Sequence, residues 1–140
     1  MKKALTLQII ESLPWHDADL LSVYFHTSTV GETNLVMNVQ IDPEESFQAF
    51  AEIGIKKNMI NLHFEKCWKI NASFLSYKPH REQVFDWKAS SDSDELKSFR
   101  KLCVPEVVNL LHHAFEFSGG STFEVMAEKI FIEDVPLTDN

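Results

Sequence analysis

Apolar and polar residues alternate along several stretches of the chain, most clearly near its end. In FEFSGGSTFEVMAEKIFIEDV, Phe115–Val135, Phe115 and Phe117 flank Glu116, and Phe123, Val125 and Ala127 then alternate with Glu124, Met126 and Glu128. Period-two patterning on both sides of Ser118-Gly119-Gly120-Ser121 predicts a β-hairpin with one buried and one wet face. A second hairpin is predicted upstream. Leu21, Val23 and Phe25 alternate with Ser22, Tyr24 and His26, and across the turn VGETN Leu35, Met37, Val39 and Ile41 alternate with Val36, Asn38, Gln40 and Asp42. Gly31 in that turn can take a positive φ.

The middle of the chain predicts further strands. Ile60, Leu62 and Phe64 alternate, as do Trp68, Ile70, Ala72 and Phe74, and Lys66-Cys67 joins the two runs by a tight turn or a bulge. Val84–Trp87 reads as a short fifth strand. Helical spacing appears in three places. Leu5, Ile9 and Leu13 recur at i, i+4, i+8, although Leu5, Leu7 and Ile9 also fit a strand. Asp42-Pro43-Glu44-Glu45 has the form of a helix start, followed by Phe47, Phe50 and Ala51 and stopped at Gly54, with a long hairpin excursion as the alternative. Ser90–Asp94 caps a helix marked by Leu96, Phe99, Leu102 and Cys103. The same period continues through Val104, Val107, Val108 and Leu111, with Pro105 making one kinked helix or two short ones. The expected fold class is α+β: one domain over residues 1–140, a mostly antiparallel sheet of about six hairpin-built strands with one to three helices on one face.

Composition agrees with a self-sufficient core. A chain of 140 residues can bury roughly two-thirds of its unfolded surface without a disulfide or a metal. Cys67 and Cys103 are distant and lack CxxC spacing, so they read as buried thiols of a reducing cytosol. The N-terminal run after Lys2-Lys3 is too short and too polar for a signal peptide, and no stretch reaches transmembrane length. A cytoplasmic protein, not membrane-bound, is expected.

The net charge of −8 is unevenly spread: −6 over residues 1–52, +4 over 53–104 and −6 over 105–140. Acidic ends around a mildly basic middle argue against nucleic acid, whose binding rests on phosphate neutralisation. The field favours a basic protein partner, unless the acidity only maintains solubility. An exposed sheet edge would also allow a homodimer.

Candidate chemistry is sparse. His16, Asp17 and Asp19 gather an imidazole and two carboxylates beside Trp15, and in an extended chain Asp17 and Asp19 share a face. Such a pair could hold a hard cation or work as acid and base in a small enzyme. The plainer reading is that Asp17 caps a turn, His16 bonds to a carbonyl and Trp15 plugs the edge of the core. His112-His113 cannot readily share a metal, because neighbouring side chains diverge in either a strand or a helix. His63 on a polar strand face and His80 in a loop read as solvated. No nucleophile motif or phosphate loop is present, no cofactor is implied, and Trp68 falls on the apolar side of its strand pattern.

The WHDA start at Trp15–Ala18 followed by a hairpin, the NLHFEKCWKI strand pair at Asn61–Ile70, and FEFSGGSTFEVMAEKIFI at Phe115–Ile132 together give a resemblance. Over residues 13–133 the chain resembles a loose group of small bacterial proteins, mostly uncharacterised. Some are similar to immunity proteins of contact-dependent or polymorphic toxin systems. The resemblance implies a non-catalytic, inhibitory protein-binding role and no catalytic residues. The expected binding residues are Trp15, His16, Asp17 and Asp19, together with Glu116, Glu124 and Glu128 on the wet face of the last hairpin.

Overall fold

A computed structural model describes residues 2–16, 18–41, 47–73, 82–103 and 109–136. Its strands are β1 (Lys3–Ala4), β2 (Asp19–Thr27), β3 (Thr33–Gln40), β4 (Met59–Ser73), β5 (Glu82–Ser90), β6 (Leu111–Phe117) and β7 (Thr122–Asp134). Its helices are α1 (Leu7–Ser12), α2 (Phe47–Glu52) and α3 (Asp94–Cys103). Every strand pairing is antiparallel, as the alternation predicted. Both hairpins form, β2–β3 through Gly31 at φ 86° and β6–β7 through Gly120 at φ 93°, but a bulge between Leu20 and Ser22 sets Leu20 rather than Leu21 against the core beside Val23.

The open sheet with helices on one face is not what forms. The strands run β7-β4-β3-β2-β5-β6 and return to β7, closing a six-stranded barrel, with β1 added on the free length of β7 beyond β6. Closure rests on a short seam, Asp19 opposite Gln83 and Leu20 opposite Glu82, extended by Val84 N donating to Ala18 O at 2.8 Å. Alternation looks the same in an open sheet and in a barrel, since both bury one face. The seam joins segments about sixty residues apart and leaves no local mark.

The barrel interior is filled by side chains. Leu35, Met37 and Val39 from β3, Ile60, Leu62 and Phe64 from β4, and Phe123 and Val125 from β7 make one apolar core. Rings run through it in contact: Phe50 to Trp15 at 5.0 Å, Trp15 to Trp87 at 4.5 Å, and Trp87 stacked on Phe115 at 4.6 Å. Such centroid spacings are those of well-packed aromatic pairs. The short helices α1 and α2 contribute Ile10 and Phe50 to this core rather than lying on an outer face. Among the described helices α3 is the one that covers the outside, where Leu96 packs with Leu110 and Met126.

Of the two alternatives at Lys66-Cys67, the bulge rather than the tight turn forms: the runs around Phe64 and Trp68 make one strand, β4, kinked by Lys66 at φ 55° and a bulge between Cys67 and Lys69. The inward positions therefore run Ile60, Leu62 and Phe64, then Cys67, then Ile70, and Trp68, expected inward with Ile70, is turned out. This is what a bulge does: it adds a residue to one strand and re-aims those that follow. The helix reading through Leu111 also fails, because Leu111 opens β6, and Leu102 on α3 is exposed rather than part of an apolar stripe. Residues 104–108 and the cap sequence 42–46 lie outside the described residues. Among the described residues no helix is long and apolar enough to cross a membrane.

Candidate functional site

The kink in β4 opens a cleft beside Glu128, one of the residues expected to bind. β4 pairs with β3 only as far as Phe64 but stays on β7 to Ser73, so the β2–β3 turn and the bulge diverge. Lys66 N donates to Asn34 Oδ1 at 3.0 Å, which holds the left-handed residue against β3. Between them lies a cleft of about 410 Å³ lined by Gly31, Glu32 and Thr33 from the turn, Lys66, Cys67 and Trp68 from the bulge, and Glu128 from β7. Trp68 Nε1 donates to Glu128 Oε2 at 3.0 Å, fixing the ring as a wall. Contrary to the alternation, Trp68 is 40% exposed, because the bulge turns it out of the core.

Cys67 lies at the floor of this cleft. Its thiol donates to Phe64 O at 3.3 Å, and burial pushes its pKa up to about 12 despite the backbone hydrogen bond from Leu35. The thiolate is the reactive form. At pH 8, iodoacetamide should therefore modify Cys67 in the folded protein at least about a hundredfold more slowly than in urea, as read by mass spectrometry of its peptide.

The same end of the barrel carries an unusual surface. Leu20–Gly31 is a twelve-residue run without a formal charge in a chain of net charge −8. On it Tyr24 is 53% exposed, Phe25 65% and Val30 78%. The alternation assigned Phe25 to the core. It does lie opposite the buried Leu35, but at the far end of β2, beyond the seam with β5.

The other expected binding residues are dispersed. Trp15 is in the core, its Nε1 donating to Ile10 O at 2.9 Å. His16 is exposed at the opening of a shallower hollow with Glu11 and Asp86. Asp19 stands on the closing seam, and Asp17 lies outside the described residues. Glu116 is exposed and faces Asp86 across β5–β6, with Lys88 Nζ 3.6 Å from Asp86. Glu124 is flanked by Lys69 Nζ at 3.7 Å and His112 Nε2 at 3.3 Å, so its charge is compensated inside the fold. Among the described residues no three His, Cys, Asp or Glu side chains are grouped to hold a metal ion.

The histidines are more structural than the sequence suggested. His112 and His113 point to opposite faces of β6, as adjacent strand residues must, and both are buried. His63 is not solvated but bonded to Glu133 at 2.6 Å, both side chains being largely covered. On the outside of the barrel, Ser93, His112 and Glu124 form a line reminiscent of a hydrolase relay. Ser93 Oγ accepts from Leu96 N at 3.1 Å and lies 2.7 Å from His112 Nδ1. A hydroxyl oxygen can accept twice, so the proton of the Ser93–His112 bond follows the imidazole tautomer, and His112 Nε2, though 3.3 Å from Glu124 Oε1, makes no hydrogen bond to it. The serine oxygen is thus engaged as the N-cap of α3, and the arrangement ties that helix to β6. Ser93→Ala should cost about 1–2 kcal/mol in urea unfolding, the upper end of a lost cap because it also strips a buried imidazole of its partner.

No family model, curated protein or solved structure matches the chain.

Proposed function

We propose that the protein is a non-catalytic protein-binding module, inhibitory in the manner of the immunity proteins its sequence resembles, and that it engages a basic protein through the β2–β3 arm. The observation that carries this reading is the exposure of Tyr24, Phe25 and Val30 on an uncharged stretch of an otherwise acidic chain. Exposed aromatic side chains are the usual anchors of protein interfaces, and Tyr24 and Phe25, neighbours in β2, offer one on each face of the arm. The net charge of −8 would speed encounter with a positively charged surface. A small-molecule carrier fits less well, because contacting rings occupy the interior that a lipocalin-like barrel would leave open.

The test uses immobilised protein and a lysate of its native host. The wild type should retain a basic protein whose retention weakens as salt is raised. The Tyr24→Ser/Phe25→Ser double variant should fold with an unchanged thermal midpoint and lose that protein. Retention of nothing, or of the same proteins by both forms, would overturn the proposal.

A further inference from the structure

We infer that the cleft beside Trp68 receives a single arginine side chain from the basic partner, its guanidinium lying between the Trp68 ring and the carboxylates of Glu32 and Glu128. This rests on the protein-binding reading above and assigns its specificity pocket. The turn residues Gly31–Thr33 that line the cleft directly follow the exposed Val30, so the pocket is continuous with the docking arm.

The chemistry of the walls selects the occupant. Two carboxylates and one ammonium give the cleft a net charge of −1, so it favours a cation. The internal ion pair is weak: Lys66 Nζ and Glu32 Oε1 are 4.0 Å apart with both side chains about two-fifths exposed. A pair this open contributes little to stability, and an incoming guanidinium can displace the lysine at small cost. One oxygen of Glu128 is engaged by Trp68 Nε1, which sets ring and carboxylate in a fixed relation. A planar guanidinium can stack on an indole face while donating to carboxylates in the ring's neighbourhood, which a compact ammonium does less well. The floor is also pre-set, since Lys66 is held at φ 55° by Asn34 before any ligand arrives. Left-handed non-glycine backbone costs free energy and persists where surrounding structure enforces it.

The probe is the peptide acetyl-Ala-Arg-Ala-amide, with its citrulline and lysine congeners as controls. Binding is read from the indole N–H resonance of Trp68, identified by its loss in Trp68→Phe. The arginine peptide should shift that resonance saturably in the millimolar range. Citrulline, which keeps the shape and loses the charge, should bind at least about tenfold more weakly, as should the arginine peptide to a Glu32→Gln/Glu128→Gln variant. Absence of a saturable shift, or equal binding of citrulline, would overturn the inference; equal binding of the lysine peptide would overturn the guanidinium assignment. Failure here with partner retention still dependent on Tyr24 and Phe25 would reject the pocket alone. Intact peptide binding with no retained partner would instead reject the docking arm.

Discussion

Lowering the pH from 7 to 5 should destabilise the protein by about 2 kcal/mol through His113 alone. This side chain is 1% exposed and faces the ring cluster, 5.0 Å from Phe64, while its Nδ1 accepts from Trp87 Nε1 at 3.2 Å. Burial, reinforced by the adjacent His112, pushes its pKa down from 6.5 to about 3. The native state therefore keeps the imidazole neutral in a range where the unfolded chain protonates it. Stability from this source is fully present above pH 6.5 and is lost progressively as the pH falls toward 3. Extended over that whole window the loss approaches about 4 kcal/mol, but ordinary carboxylates begin to titrate there, so the range from 7 to 5 isolates the histidine better. Protonation would also place a hydrogen on the atom that accepts from Trp87, removing the hydrogen bond as well. Urea titrations at the two pH values should show the drop, and His113→Gln, which keeps an acceptor for the indole, should reduce it by about 2 kcal/mol. An unchanged pH slope in that variant would show that His113 is not the group responsible.

The value of that histidine could not be read from the sequence, and the reason is instructive. His112-His113 appears as a polar pair ahead of an apolar alternation, and local spacing says only that the two diverge. What buries both is the pairing of β6 with β5 and β7 together with the placement of α3 across the outer face. Both contacts arise from elements distant along the chain or placed by packing. The hairpins were legible because a period-two pattern and a glycine turn are local, and Gly31 and Gly120 adopt the conformations such turns need. The barrel was not, because its seam is two residue pairs long. The cleft was missed for a third reason: a bulge interrupts the alternation locally, so Trp68, assigned inward by pattern, is turned outward while Ile70 keeps the core face, and Phe25 is exposed because it lies beyond the seam. Of the wet-face glutamates, Glu128 does line a cleft, but its partner is an indole on another strand, which no spacing within β7 could show.

Trp15→Ala should cost about 3–5 kcal/mol, among the largest effects of any single substitution in this chain. The ring joins Phe50 from α2 to Trp87 from β5, at 5.0 and 4.5 Å, and its indole N–H satisfies the carbonyl of Ile10 inside the barrel. Truncation would remove those ring contacts, leave a cavity and take from the Ile10 carbonyl the shorter of its two hydrogen bonds, the other coming from Leu13 N at 3.4 Å. The helix α1 has only six residues, too short to form without tertiary support, and Trp15 is one of the contacts that dock it. Trp15→Phe keeps the aromatic packing and loses the hydrogen bond, so it should fall between, at about 1–2 kcal/mol plus a smaller packing loss. Against a total stability of about 5–15 kcal/mol for a domain, the alanine variant should show a large drop in urea midpoint and the phenylalanine variant a moderate one. If Trp15 served instead as a binding surface, Trp15→Ala would fold like the wild type and lose only partner retention. The ordering of midpoints, wild type above phenylalanine above alanine, separates the two roles. It also decides how the Trp-His-Asp-Ala segment is understood: its tryptophan belongs to the barrel's ring stack, apart from the recognition surface proposed at the β2–β3 turn and the β4 bulge.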